Sequence, residues 1–131
     1  MSELKTPIII VVTGEGGSGG ALAISVGDHI SMLQYATYSV ASPEACASII
    51  WRTADKAPDA AEAMKVSSKE LKKLNIIDEI ITEPLGGAHR DYDKISLSIK
   101  ESLIKNLSIL NRMSKKELLD RRYKRLVEIG I

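Results

Sequence analysis

Apolar residues fall in short runs over the first two thirds of the chain and at helical spacing over the last third. Ile8 to Val12 is an apolar run that predicts a buried strand. Ala21 to Val26 predicts the body of a short buried helix over 19–26, closed by Gly27. Ile30 to Tyr35 and Tyr38 to Ala41 predict two further short strands. Ser42-Pro43-Glu44 joins an N-cap, a first-turn proline and a first-turn acid, and so predicts a helix running to about Arg52. Another short helix is predicted over 58–64. Ser67 and Glu70 stand at capping-box spacing before a helix that Asn75 can end. Ile76 to Thr82 predicts a strand interrupted by Asp78 and Glu79, and Pro84-Leu85-Gly86-Gly87 predicts a loop. Beyond it, with Asp91 as N-cap, Ile95, Ile99, Leu103, Leu107 and Leu110 recur on one helical face. Ser114 and Glu117 repeat the capping-box spacing before a helix with Leu119, Tyr123, Leu126 and Val127 on one face. The pattern is α/β, then all-α, with no internal repeat and no low-complexity linker.

One stretch breaks this regularity. Between the first strand and the first helix lies Gly14-Glu15-Gly16-Gly17-Ser18-Gly19-Gly20, with five glycines in seven positions. Such density weakens any regular element, so the turn is expected to serve another use. Glycine leaves no Cβ over the backbone, and a helix start points unpaired N–H groups outward at the positive end of its dipole. Backbone amides there can hold an oxyanion. Gly14-x-Gly16-x-x-Gly19 also matches a dinucleotide fingerprint, but no acidic residue follows the next strand, and Asp28 precedes it. A phosphate-binding P-loop would close on Gly-Lys-Ser/Thr, whereas Gly20 is followed by Ala21. Two readings stay open: an oxyanion-binding turn in an acyl-handling enzyme, and a tight turn that only lets helix and strand pack.

This stretch also carries a family resemblance. "TGEGGSGGALA" resembles the glycine-rich segment of the carboxyltransferase α subunits of bacterial-type acetyl-CoA carboxylase. "SVASPEACASIIWR", "KAPDAAEAMKVSS", "IDEIITEPLGGAHRD" and "RRYKRLVEIG" are similar to that family's successive blocks, in order, over essentially the whole chain. The resemblance implies a crotonase-like (ClpP/crotonase) α/β fold, of which 131 residues would be the C-terminal part, starting mid-fold at Met1 to Thr6. Residues 1–93 would belong to the carboxyltransferase domain and 94–131 to a C-terminal helical extension. It implies transfer of a carboxyl group from carboxybiotin, a co-substrate on a biotin carboxyl carrier protein, to acetyl-CoA, giving malonyl-CoA for fatty acid synthesis. It also implies a β-subunit partner in an α2β2 assembly, and a cytoplasmic location, or the plastid stroma for a plant or algal source. Gly16, Gly17, Ser18, Gly19 and Gly20 would line the site with backbone amides, and the chain alone would be inactive. The alternatives are a non-catalytic interaction module of that complex and another crotonase-like acyl-CoA enzyme.

Composition narrows the rest. The net charge of +1 argues against a strong nucleic-acid field, and no apolar stretch is long enough to span a bilayer. The start of the chain lacks a signal-peptide pattern. The single cysteine, Cys46, has no internal disulfide partner and reads as a small buried residue on a helix. With no phenylalanine, the core is expected to be aliphatic. His29, His89 and Cys46 are too scattered for a zinc pattern, so no metal is expected. His89, Arg90 and Asp91 are read first as packing and capping, with substrate or partner contact as the sharper alternative. The basic cluster Lys115, Lys116, Arg121, Arg122, Lys124 and Arg125 is read as a solvated helix face, against contact with a CoA phosphate or an acidic partner.

Overall fold

The computed structural model describes residues 1–129. Three strands, β1 (Ile9–Val12), β3 (His29–Leu33) and β5 (Glu79–Ile81), form a parallel sheet in the order β1-β3-β5. A second sheet pairs β2 (Glu15–Gly17) with β4 (Thr37–Ser39), also in parallel. The six helices are α1 (Ser18–Ile24), α2 (Pro43–Trp51), α3 (Ala57–Met64), α4 (Ser68–Lys73), α5 (Tyr92–Leu110) and α6 (Lys115–Val127). Helix α5 packs on β1 and β5, and α4 on β5. Helices α2 and α3 pack chiefly on each other, around the buried Ala47 and Ala60.

The core is aliphatic, as the composition requires. Val12, Ile30, Met32, Leu33, Leu71, Ile77, Ile81 and Ile95 form one buried cluster, joined by Tyr38. All-parallel pairing buries both strand faces, so β3 reads as a continuous apolar run rather than an alternation.

Local signals explain most helix ends. Ser42 Oγ accepts from Ala45 N at 3.1 Å, and Asp91 Oδ1 accepts from Lys94 N at 2.9 Å. Ser114 and Glu117 form the reciprocal capping box. Ser67 caps α4 by position only: its hydroxyl accepts no helix N–H, and Glu70 instead takes Lys73 Nζ at 2.6 Å. Asn75, at φ 56°, follows α4 in the left-handed region as expected, and Arg52 and Lys65 close α2 and α3 the same way.

Four expectations need correction. Gly27 does not close α1, which ends at Ile24 with Ser25 as its cap. Gly27 is needed for close approach instead, because a Cβ there would stand 2.0 Å from Ile10 Cδ1. Helix α1 is not buried: Leu22 and Ile24 face outward. On α5 the buried stripe is Ile95, Ser102, Asn106 and Leu110, so two polar residues occupy the face assigned to Leu103 and Leu107. On α6 the buried residues are Leu118 and Arg122, while Tyr123 and Val127 are exposed. Cys46 is half-buried on α2.

Candidate functional site

All three strands of the larger sheet run the same way, so their carboxyl ends converge on one edge. The segments leaving that edge are Thr13–Gly20 after β1, Gln34–Ala36 after β3 and Thr82–Ala88 after β5. This is where parallel α/β sheets hold ligands.

The glycine segment is more regular than its composition suggests. Gly16 pairs with Tyr38 and Gly17 with Ser39 in the small parallel sheet. Ser18 takes φ 64°, a left-handed conformation uncommon for a residue with a side chain, and opens α1. Gly19 and Gly20 lie in the first turn of that helix. No side chain caps α1, so its first N–H groups lack a side-chain acceptor at the point where a helix offers free donors.

The surroundings of these glycines separate packing from another use. At Gly16 a Cβ would meet Tyr38 Cδ2 at 3.0 Å and Val12 Cγ1 at 3.4 Å, so packing accounts for glycine there. At Gly17, Gly19 and Gly20 a Cβ would meet nothing within 4 Å. Internal packing therefore requires none of those three, and their backbone lies open. A cavity of about 350 Å³ runs beside the segment, bounded by Val11, Val12, Gly14, Gly16, Ala21 and Tyr38.

Other polar residues are drawn into internal networks that the sequence pattern did not reveal. Arg122 is fully buried, and its Nε and Nη2 donate to Asp28 Oδ1 and Oδ2 at 2.9 and 2.7 Å. Its remaining donors reach the carbonyls of Met1, Ser2, Leu4 and Thr6. Asp28 Oδ2 also accepts from Ile8 N at 2.8 Å. Arg121 donates to the Asp28 carbonyl, and Arg125 to Ile76 O and the Asp78 carboxylate. Arg122 is thus internal structure and Arg125 is half-buried, which corrects the expected solvated face at those two positions, while Lys115, Lys116, Arg121 and Lys124 are exposed; Lys124 pairs with its helix neighbour Glu128.

His29 has its Nε2 3.1 Å from Ser31 Oγ and 3.3 Å from Glu79 Oε2. Burial would raise the Glu79 carboxyl, but hydrogen bonds from Ser102, Asn106, His29 and Ser31 together hold it below the ordinary glutamate value. This cluster ties β3 and β5 to α5 and explains the polar pair on the α5 face. His89 and Cys46 lie on separate elements far along the chain, and among the described residues no three His, Cys, Asp or Glu side chains gather as a metal site.

Comparison with known proteins gives the family. A family model described as acetyl co-enzyme A carboxylase carboxyltransferase-like matches residues 1–130. The chain belongs to that family. Relatives include the acetyl-coenzyme A carboxylase carboxyl transferase subunit alpha of Pseudomonas putida, 60% identical over all of this chain and 42% of its own length. The proteins of the same name from Photorhabdus laumondii and Yersinia pestis are 58% and 59% identical, over 99% of this chain and 41% of theirs. Within this carboxyltransferase-like family, then, the chain spans about two fifths of the relatives' length. The family assignment agrees with an α/β architecture built on parallel strands.

Proposed function

We propose that this chain forms one wall of a biotin-dependent carboxyltransferase site, with the backbone of Gly16, Gly17, Ser18, Gly19 and Gly20 facing the reacting groups. The observation that carries this is the open space over Gly17, Gly19 and Gly20, which no packing need explains. The uncapped start of α1 adds unpaired donors at the same point. The fold proposed is crotonase-like, with residues 1–93 in the carboxyltransferase domain and 94–131 as its helical extension. The reaction is that in the relatives' name, within acetyl-CoA carboxylase of the fatty acid pathway, in the cytoplasm.

Carboxybiotin, the co-substrate on its carrier protein, releases its carboxyl group as carbon dioxide and is left with negative charge on its ureido oxygen; the biotin anion takes a methyl proton from acetyl-CoA, and the resulting enolate attacks the carbon dioxide to give malonyl-CoA. Such chemistry asks the protein for donors aimed at oxygens where charge grows. Backbone amides of the glycine segment meet that demand without a side-chain acid or base. Loss of one such donor costs roughly 3–4 kcal/mol of transition-state stabilisation. A β subunit of the complex supplies the opposite wall, in an α2β2 assembly, so the chain alone is inactive.

Gly19→Ala tests this. Nothing within 4 Å opposes the new methyl, and alanine is the better helix former by about 1 kcal/mol. This chain is therefore expected to keep or raise its melting temperature. In the assembled enzyme carrying the same change, carboxyl transfer is expected to fall at least tenfold. Unchanged transfer by a well-folded Gly19→Ala enzyme, and by Gly17→Val beside it, would refute the assignment.

A further inference from the structure

The larger sheet ends sideways at β1, which pairs with β3 and with no other strand. In a parallel ladder the N–H and C=O of one residue point to the same side, and successive residues alternate. Ile8 O accepts from Asp28 N at 2.8 Å, and Ile8 N donates to Asp28 Oδ2 at 2.8 Å, so Ile8, Ile10 and Val12 face β3. Ile9 and Val11 therefore turn both backbone groups away from the sheet. The small sheet repeats the arrangement: Gly14 O accepts from Thr37 N at 3.0 Å, which turns Glu15 away from β4. Among the described residues no group bonds the N–H or C=O of Ile9, Val11 or Glu15.

Such a row of unpaired donors and acceptors is a template for another strand. Folded proteins blunt an edge with a charge, a proline or a bulge inside the strand. Ile8 to Val12 carries none of these and consists only of β-branched apolar residues, the strongest strand formers.

We infer that this edge pairs with the same edge of a second copy of the chain, β1 against β1 across a two-fold axis. A two-fold axis makes the pair antiparallel and self-complementary. Only outward-facing residues can exchange bonds, so Ile9 and Val11 must stand opposite outward residues of the other copy. With Ile10 on the axis, Ile9 of each copy faces Val11 of the other, and each such pair exchanges two N–H···O bonds. Pro7, which has no N–H, then falls opposite Thr13 and ends the ladder. The same register sets Lys5 of each copy opposite Glu15 of the other, both exposed, and opposite charges facing across strands stabilise a pair. A slip of two residues in either direction loses that match, and one of the two slips also sets Pro7 against Val11. The product is one continuous sheet of six strands, three from each copy, within the common size of sheets. The inference concerns association of this chain and does not rest on the carboxyltransferase assignment, so the carboxyl-transfer assay and the measurements below fail or succeed separately.

The test is sedimentation equilibrium of this chain, joined to amide hydrogen exchange by NMR in dilute and in sub-millimolar solution. The mass is expected to double as concentration rises. The amides of Ile10 and Val12, bonded to β3, should be protected at both concentrations. Those of Ile9 and Val11 should slow at least tenfold, and only as the dimer forms. Lys5→Glu is expected to weaken association at least fivefold at low salt, and the same change combined with Glu15→Lys to restore it. Both positions are exposed, so the melting temperature of the monomer should hold. Val11→Pro should abolish association, because it removes an N–H that the chain itself does not use. A monomer at every concentration would overturn the inference, as would a dimer in which the Ile9 and Val11 amides exchange as fast as in the monomer. Protection of those amides only in the assembled carboxyltransferase would overturn self-pairing and give the edge to another chain.

Discussion

At the scale of single residues, the strongest constraint lies on Arg122 rather than on any glycine. One guanidinium joins α6 to Asp28 and to four carbonyls of the first six residues. Both members of the pair are fully buried, so removing one leaves a charge without compensation. Arg122→Ala and Asp28→Ala are each expected to cost about 3–5 kcal/mol, a large share of the roughly 5–15 kcal/mol that holds a domain of this size. Arg122→Lys should recover little, because one ammonium cannot span two carboxylate oxygens and the carbonyls beyond them. Urea unfolding checks this, and the double variant should lose much less than the sum of the singles. Single variants within 1 kcal/mol of wild type would show the pair to be expendable. None of this was legible in the sequence. Arg122 stands among five other basic residues, and Asp28 lies more than ninety positions away. A one-dimensional pattern places charge outside by default, and only the tertiary contact reverses that.

At the scale of elements, the sequence was most legible where a signal is local. The Ser42, Asp91 and Ser114 caps, the left-handed Asn75 and the three apolar strands follow from neighbours a few residues apart. It was least legible where a partner sits elsewhere in the chain. Strand β2 is hidden by glycine's poor strand propensity and exists because β4 pairs with it. The α5 stripe departs from the apolar count because Ser102 and Asn106 meet Glu79 on β5. The two capping-box spacings show the limit of a local signal, since only the one at Ser114 forms. Ser114→Ala is therefore expected to lower stability by about 1 kcal/mol, whereas Ser67→Ala should change it by less than half of that. Thermal melts of the two variants give the comparison, and equal losses would contradict the assigned geometry. Of the candidate site, the glycine segment was legible from composition alone. The convergence of Thr13, Tyr35 and Glu83 at the same sheet edge was not, because it exists only through parallel pairing of three strands.

At the scale of the whole molecule, what the chain leaves uncovered bears on how it works. Helices α2 and α3 lean chiefly on each other, and α2 turns Ile49 outward at 77% exposure. Val40 and Ile24 are also exposed, and Leu85 is 96% exposed. Apolar surface of this kind marks contact with further protein when it gathers in patches. The glycine segment, too, is open around Gly17, Gly19 and Gly20. A donor wall accelerates a reaction only when water is excluded and the substrate is held against it, since preorganised dipoles act most strongly in a low-dielectric site. A chain with an open wall and about two fifths of its relatives' length is therefore expected to bind weakly and turn over nothing by itself. The measurement is carboxyl transfer from carboxybiotin to acetyl-CoA, made with this chain alone, with a β subunit alone, and with the assembled enzyme. Transfer is expected only in the assembly, and hydrogen exchange there should slow at α1 and across Gly14 to Gly20 as the open face is covered. Turnover by this chain alone would show that the wall needs no second side, and the shared site would have to be abandoned.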